Sequence, residues 1–264
     1  MKNKNVLITG GCGFLGSKLC LEYLKLNYNV FCIDRKKKEG FNFINSLEKK
    51  YKKKFNYYNC DLEKLSEIKI FIRKIKKKIN NLDIIINNAS ITGDSLKKGW
   101  NTKFENQNYL NFNKAIKVNL ISVFEICKNL KKLLQNSSSG SIINISSIYA
   151  NLCHDKDLYV GTKINNPAAY STSKAGLNQL TRWMAAEFAP KVRVNCVSPG
   201  GIYRKQSKKF VSKYINKTLL KRMATESEIV DLILFLASEK AKYITGQEIV
   251  IDGGYSIKWT KKFY

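Results

Sequence analysis

Two kinds of hydrophobic pattern alternate along this chain. Short runs that are apolar at nearly every position, or rich in β-branched and aromatic residues, read as strands: Val6 to Thr9, Asn29 to Ile33, Phe55 to Asn59, Leu82 to Ile86, the SIINISS run from Ser141, Val192 to Val197 and Glu248 to Ile251. Between them lie longer stretches in which apolar residues return every three or four positions. Leu65, Ile68, Phe71, Ile72, Ile75 and Ile79 make one such stripe opposite a row of lysines, and Leu177, Leu180, Met184 and Phe188 make another. Helices are therefore expected over Phe14 to Leu26, Phe41 to Lys54, Leu65 to Lys78, Tyr170 to about Pro190, and Glu226 to Ala237. Continuously apolar strands alternating with amphipathic helices predict an α/β fold whose mostly parallel sheet is covered on both faces. Two stretches stand outside the pattern: residues 151–167, which have no clear period, and 203–221, whose period is weak.

The candidate chemistry sits where runs of one kind give way to the other. The first strand ends in Thr9-Gly10-Gly11-Cys12-Gly13-Phe14-Leu15-Gly16, a loop that fits either G-x-G-x-x-G or T-G-x-x-G-x-x-G. In either register the glycines let backbone approach a pyrophosphate at the start of the following helix, where free N–H groups and the helix dipole favour negative charge. Asp34 closes the second strand, where a carboxylate would accept hydrogen bonds from an adenosine ribose and repel a 2′-phosphate. Tyr170 and Lys174 are four positions apart and so share one face of a helix. An ammonium there would be expected to lower the phenol pKa from its usual value of about 10 and make Tyr170 a general acid or base. Ser147, ending the preceding strand, is placed to hydrogen-bond an oxygen on which charge develops, with Ser146 as competitor for that role.

Composition changes this picture little. The 264 residues suffice for one large core and predict a single domain over 1–264. No apolar run is long enough to span a bilayer, and the first residues lack a signal-peptide core, so a soluble cytoplasmic protein is expected. The seven cysteines are scattered, with no C-x-x-C pair, and read as buried thiols; His154 has no partner that suggests a metal. A net charge of +27 would attract polyanions, but it is almost all lysine on helix faces, with six arginines and no aromatic interleaving. No specific nucleic-acid partner is expected. Anionic substrates would be favoured slightly.

The order of the motifs carries a resemblance. The glycine loop, Asp61, Asn87-Asn88-Ala89, Asn119 within Lys-Val-Asn-Leu, Ser147, Tyr170 with Lys174, Pro199-Gly200, Thr245-Gly246-Gln247 and Asp252-Gly253-Gly254 follow one another as in a classical short-chain dehydrogenase/reductase. The resemblance implies a doubly wound Rossmann fold with a seven-stranded sheet, NAD as cofactor, a small-molecule substrate, and a homotetramer or dimer formed through the Tyr170 helix and the C-terminal region. It implies that Gly10, Gly13, Phe14, Leu15 and Gly16 meet the dinucleotide phosphates, Asp34 the ribose, and Asp61 with Leu62 the adenine. Asn87 and the backbone around Ala89 would lie beside the cofactor ribose, and Pro199, Gly200 and Ile202 would line the nicotinamide pocket. Ser147 would polarise the substrate oxygen and Tyr170 would pass the proton. Lys174 would lower the Tyr170 pKa and bind the nicotinamide ribose, and Asn119 would help hold a water linking Lys174 to solvent.

Two departures accompany the resemblance. The T-G-x-x-G-x-x-G register is more typical of the family's extended branch, and the span from Ser147 to Tyr170 is longer than in classical members. Residues 151–167 are thus expected to loop out at the active-site mouth, with Tyr149, Asn151, Tyr159, Thr162 and Asn166 contacting a hydroxyl-rich substrate. Residues 203–221 would form a substrate lid, with Arg204, Lys205 and Lys208 facing any anionic group. Ser-Ile-Tyr, Tyr159-Val-Gly-Thr162, Pro167 and Ser198-Pro-Gly-Gly-Ile202 resemble a bacterial group of these enzymes associated with flagellin-glycan and nonulosonic acid biosynthesis. The expected function is NAD-dependent hydride transfer between an alcohol and a ketone on a sugar, sugar phosphate or sugar nucleotide. The rivals are an epimerase or dehydratase that retains its NAD, and a noncatalytic basic binding protein with the same fold.

Overall fold

The computed structural model describes residues 4–35, 38–92, 98–162 and 164–257. Seven strands form one sheet: β1 (Asn5–Thr9), β2 (Asn29–Asp34), β3 (Phe55–Asn59), β4 (Ile84–Asn87), β5 (Gly140–Ile145), β6 (Val192–Pro199) and β7 (Glu248–Ile251). Their spatial order is β3-β2-β1-β4-β5-β6-β7, and every pairing is parallel. The connections run outward from β1 in one direction through β2 and β3, and in the other direction from β4 onward. The crevice at the carboxyl ends of β1 and β4 is therefore the point at which the winding reverses, where open α/β sheets receive ligands.

Helices α1 (Phe14–Lys25), α2 (Lys38–Tyr51), α3 (Leu65–Lys78), α4 (Tyr109–Ile116), α5 (Ser122–Gln135), α6 (Lys156–Tyr159), α7 (Ala168–Phe188), α8 (Lys208–Lys217) and α9 (Glu226–Ala237) complete the chain. Alternation along each strand divides the core into two layers. Leu7, Phe31, Ile85, Ile142 and Val194 face the layer that contains Ile72, Leu130 and Leu177. Val6, Ile8, Ile86, Ile143 and Val197 face the layer that contains Leu19, Leu47 and Ile233. A strand buried on both sides has no polar face to alternate with, which explains the unbroken apolar runs.

Boundaries depart from the sequence pattern where backbone chemistry intervenes. The fourth strand begins at Ile84 rather than Leu82 because its ladder is set by the partners Val6↔Ile84 and Ile84↔Ser141. The second helix is shifted to Lys38–Tyr51, and Lys52–Lys54 form a separate 3₁₀ turn with Lys52 at φ 37°. Helix α7 opens two residues before Tyr170, behind Pro167. The insert contains the short helix α6, and the 203–221 segment carries α8. Between α4 and α5, residues Lys117–Ile121 continue the rod as a π-helical turn. No helix among the described residues is long and apolar enough to cross a membrane.

Candidate active site

At the end of β1 the chain turns through Gly10, at φ +65°, close against the loop that follows β4; a Cβ there would lie 2.8 Å from the Ala89 Cα. Gly16 is tighter still, since its Cβ would meet the Gly10 carbonyl oxygen at 2.1 Å. The Thr9 hydroxyl accepts from the N–H groups of Asn88 (3.1 Å) and Ala89 (3.0 Å), and the Asn88 amide donates back to the carbonyls of Thr9 (3.0 Å) and Gly10 (3.1 Å). These bonds sew the two loops into one floor. Helix α1 starts above it behind Gly13, with no side-chain cap and no acid in its first turn. Its first N–H groups and the positive end of its dipole therefore face outward. Asp34 ends β2 beside them, one carboxylate oxygen accepting from Cys12 N (2.8 Å) and the other from Arg35 N (2.7 Å).

A dinucleotide fits this cradle. A Cβ on Gly13 would meet only the Gly10 oxygen, at 3.2 Å, so the loop is open on the side where the donors point. Phosphates match the N–H groups of α1, and ribose hydroxyls match the carboxylate of Asp34. Asp61, at the end of β3, accepts from Glu63 N at 3.0 Å, whereas the Leu62 side chain is packed into the core and leaves only backbone to meet an adenine. Asn87 is likewise buried, its amide donating to Asn144 Oδ1 at 2.8 Å, so that its side chain braces β4 against β5.

The reacting groups gather at the end of β5. Ser147 is extended, and its hydroxyl accepts from Tyr149 N at 3.2 Å. The hydroxyls of Ser147 and Thr92 are in hydrogen-bonding contact with the Tyr170 phenol. Ser146 turns the other way and donates to the Lys174 carbonyl at 3.2 Å, so of the two serines Ser147 is the one beside Tyr170. Lys174 is 2% exposed, and its amine donates to the Ile145 carbonyl at 2.7 Å. Burial lowers its pKa to about 8.

The electrostatics differ from the expected pairing. Burial raises the Tyr170 pKa, and the contacts that oppose this are the Ser147 and Thr92 hydroxyls and the field of Arg204. The Lys174 amine lies 5.7 Å from the Tyr170 ring centroid and is drawn to a backbone carbonyl, so it does not draw the phenol pKa down here. Asn119 is buried nearby. From the π-helical turn its side chain accepts from Ile91 N (2.7 Å) and donates to Ile91 O (3.2 Å) and Ser173 Oγ (2.9 Å). Its side chain thereby pins the β4 loop to α7.

Comparison with known proteins agrees with this geometry. A family model described as enoyl-(acyl carrier protein) reductase matches residues 15–256. The crystal structure of a short chain dehydrogenase from Leptospira borgpetersenii with bound NAD+ superposes with a TM-score of 0.83 at 34% identity, over 97% of this chain and 94% of that one. The chain belongs to the short-chain dehydrogenase/reductase family. It is an NAD(P)-dependent oxidoreductase. A 3-oxoacyl-acyl-carrier-protein reductase of Buchnera aphidicola is 33% identical to it over 96% of this chain and 98% of its own. Post-translational flagellin modification protein A of Campylobacter coli is 27% identical over 97% of this chain and all of its own.

The other residues expected at the site of this short-chain dehydrogenase lie at the end of β6 and in and around the insert. Gly200 N donates to Ile251 O at 2.9 Å, and Gly201 N donates to the Tyr214 hydroxyl at 2.5 Å, so Pro199 to Ile202 form a backbone wall held from β7 and α8. The hydroxyl of Tyr149, just before the insert, meets that of Tyr159 within it at 2.6 Å. The other proposed substrate contacts use their polar groups on the scaffold. Thr162 donates to Tyr159 O and Ile164 O, Asn151 to Glu248, and Asn166 to Ser171. His154 is exposed but stacks on Tyr159, with ring centroids 5.5 Å apart. Among the described residues no group of three His, Cys, Asp or Glu is placed to hold a metal.

Sequence reasoning missed Thr92, Asp155 and Tyr255. Thr92 follows the Asn-Asn-Ala turn with no motif of its own, and only its contact with Tyr170 reveals it. Arg204, read from sequence as a contact for substrate anions, stacks its guanidinium over Phe14 at 4.6 Å, between the glycine loop and Tyr170.

Proposed function

We propose that this enzyme transfers a hydride between an alcohol and a ketone on a hydroxyl-bearing, sugar-like substrate, with NAD preferred over NADP. The observation that carries the reading is the Tyr170 phenol held between Ser147 and Thr92 at the end of β5, on the same edge of the sheet as the glycine cradle. The nicotinamide, when bound, supplies or accepts the hydride. Ser147 donates a hydrogen bond to the substrate oxygen, where charge builds during the transfer. Tyr170 exchanges a proton with that oxygen, its raised pKa keeping it protonated and ready to donate in the reductive direction. Lys174, charged below about pH 8, binds the nicotinamide ribose, and Asn119 fixes α7 under both residues through Ser173.

Asp34 supports the NAD preference, because a carboxylate at the end of β2 repels a ribose 2′-phosphate. The Leptospira relative with bound NAD+ supports it as well. The Tyr149–Tyr159 hydroxyl pair supports a hydroxylated substrate, and the Campylobacter flagellin modification relative is consistent with a sugar. Exposed apolar residues on α5 and α7, Phe124 and Trp183 among them, support assembly into a homo-oligomer. Titration with NADH and NADPH, repeated on Asp34→Ala, tests the cofactor reading. Tighter NADH binding that relaxes toward NADPH in the variant is the expected result, and equal affinities in both proteins would overturn it.

A second reading is favoured by the Buchnera relative and by the net charge of +27, which suits an acidic carrier protein: reduction of a 3-oxoacyl thioester. NADH consumption with acetoacetyl thioesters but not with keto sugars would replace the sugar reading with this one.

A further inference from the structure

The insert and the 203–221 segment are far apart in sequence, yet side chains from each close on the other. Asp155 stands at the junction. It caps α6 by accepting from Leu158 N at 3.3 Å, pairs with Lys217 at the end of α8, and accepts from the Tyr255 hydroxyl at 3.0 Å. Three segments thus meet at one carboxylate. Lys213, one turn earlier on α8, donates to the carbonyls of Asp157 (2.7 Å) and Val160 (2.8 Å), which satisfies the open end of α6. Beneath these bonds Leu158, Phe210, Tyr214 and Met223 form a small apolar core separate from the two main layers. An aromatic series runs through it, with Tyr159, Phe210, Tyr214 and Tyr255 at successive centroid separations of 6.1, 6.0 and 4.8 Å.

The same assembly reaches the reacting groups. Tyr149 bonds to Tyr159 and is in hydrogen-bonding contact with Tyr255, and both Tyr149 and Tyr159 lie close enough to Tyr170 that its ionisation would oppose theirs. On the other side the Tyr214 hydroxyl holds Gly201 N beside the nicotinamide wall. An element that packs its own core and touches both sides of a site moves as a unit, because its internal bonds outnumber those of a lid hinged only at its ends.

We propose that Asp155 is a positioning residue that locks the insert, α8 and the C-terminal turn at Tyr255 into one rigid substrate wall, which presents the Tyr149–Tyr159 hydroxyl pair toward Tyr170. The name substrate wall rests on the oxidoreductase reading above; the lock itself does not. Removing Asp155 from the insert frees α8, which is distant from it in sequence. A charge-assisted hydrogen bond at a partly exposed site is large enough to change local opening measurably.

Amide hydrogen exchange on the purified full-length chain tests the lock, with no substrate needed. In Asp155→Ala, exchange in α6 and in residues 208–217 is expected to speed up together by about tenfold, while α1 and α7 keep wild-type protection and NADH affinity stays within about twofold. Asp155→Asn retains the cap and the acceptor for Tyr255 but loses the charge, so it restores α6 while α8 stays fast. Tyr255→Phe, a milder change, loosens both to a smaller degree. Unchanged α8 exchange in Asp155→Ala overturns the proposal, as does a uniform loss of protection that includes α7. Asp155→Asn that loosens α6 as much as alanine does also overturns it. A failed NADH titration sinks the oxidoreductase reading and leaves this exchange pattern as predicted.

Discussion

The two halves of the site are built by different means. On the cofactor side, contacts are short: glycine backbones, Thr9, Asn88 and Asp34 bond to main-chain groups of adjacent loops at the ends of paired strands. On the substrate side, long side chains make them: the Lys213 amine reaches the carbonyls of Asp157 and Val160, and the Tyr255 hydroxyl reaches Asp155. The first construction needs particular residue types at fixed spacing, because backbone can approach backbone only where side chains are absent or small. The second needs only matching charge and aromatic area, and many sequences satisfy it. The cofactor side is therefore intolerant of change and the substrate side adaptable.

The largest break in this contrast is at the residue both halves share. Tyr170→Phe keeps the ring and removes the proton, and turnover is expected to fall by about 10²- to 10⁴-fold with NADH binding retained, measured by steady-state kinetics and titration. Next is Gly16→Ala, whose methyl would collide with the Gly10 carbonyl. A loss of roughly 1–3 kcal/mol in denaturant unfolding, together with weaker NADH binding, is expected. On the substrate side, Thr162→Val removes the bonds to Tyr159 O and Ile164 O and is expected to leave NADH affinity unchanged by the same titration.

Lys174 sharpens the comparison through pH. Its folded pKa of about 8 lies below the unfolded value, so between about 8 and about 10.4 the unfolded chain binds the additional proton. Stability contributed at this position therefore rises as pH climbs through that window. The Tm of wild type relative to Lys174→Met is expected to increase from about pH 7.5 to about pH 9.5 by scanning calorimetry. The smallest effect belongs to the Asp155–Lys217 pair, whose side chains are 23% and 29% exposed. Lys217→Met should cost less than about 1 kcal/mol of global stability and leave NADH affinity alone.

The same contrast explains what the sequence revealed. Strand and helix periods, the glycine loop, Ser147, Tyr170 and Lys174 are readable because each is a local pattern at the end of a regular element. The parallel sheet expected from them is present in full. Helix α8 is harder to read: its apolar residues Phe210 and Tyr214 pack on a small satellite core formed with the insert, so its stripe is brief. Asp155 in the sequence is one acid among lysines, and its importance comes from Lys217 and Tyr255, which no spacing rule connects to it. The orientation of Lys174 was equally illegible, since the competitor for its amine is the Ile145 carbonyl, a group every residue carries.

The π-helical turn at Lys117–Ile121 has a consequence for insertions and deletions. It joins α4 and α5 in one continuous rod while adding to the usual residue count of a turn. Each residue in an ordinary helix advances its side chain by about 100°, but the wider turn takes up one extra residue within a single revolution, so the two halves of the rod keep their phase. Ala115 on the near half stays in its pocket with Trp100 and Ala169, while Ile126 and Leu130 on the far half stay in the main core. Deleting Val118 would close the wide turn into an ordinary one without rotating either half, and would draw Asn119 away from its bonds to Ile91 and Ser173. That deletion is therefore expected to leave both cores packed, with little change in Tm, while amide exchange at Ile91 speeds up as the loop after β4 loses its tie to α7.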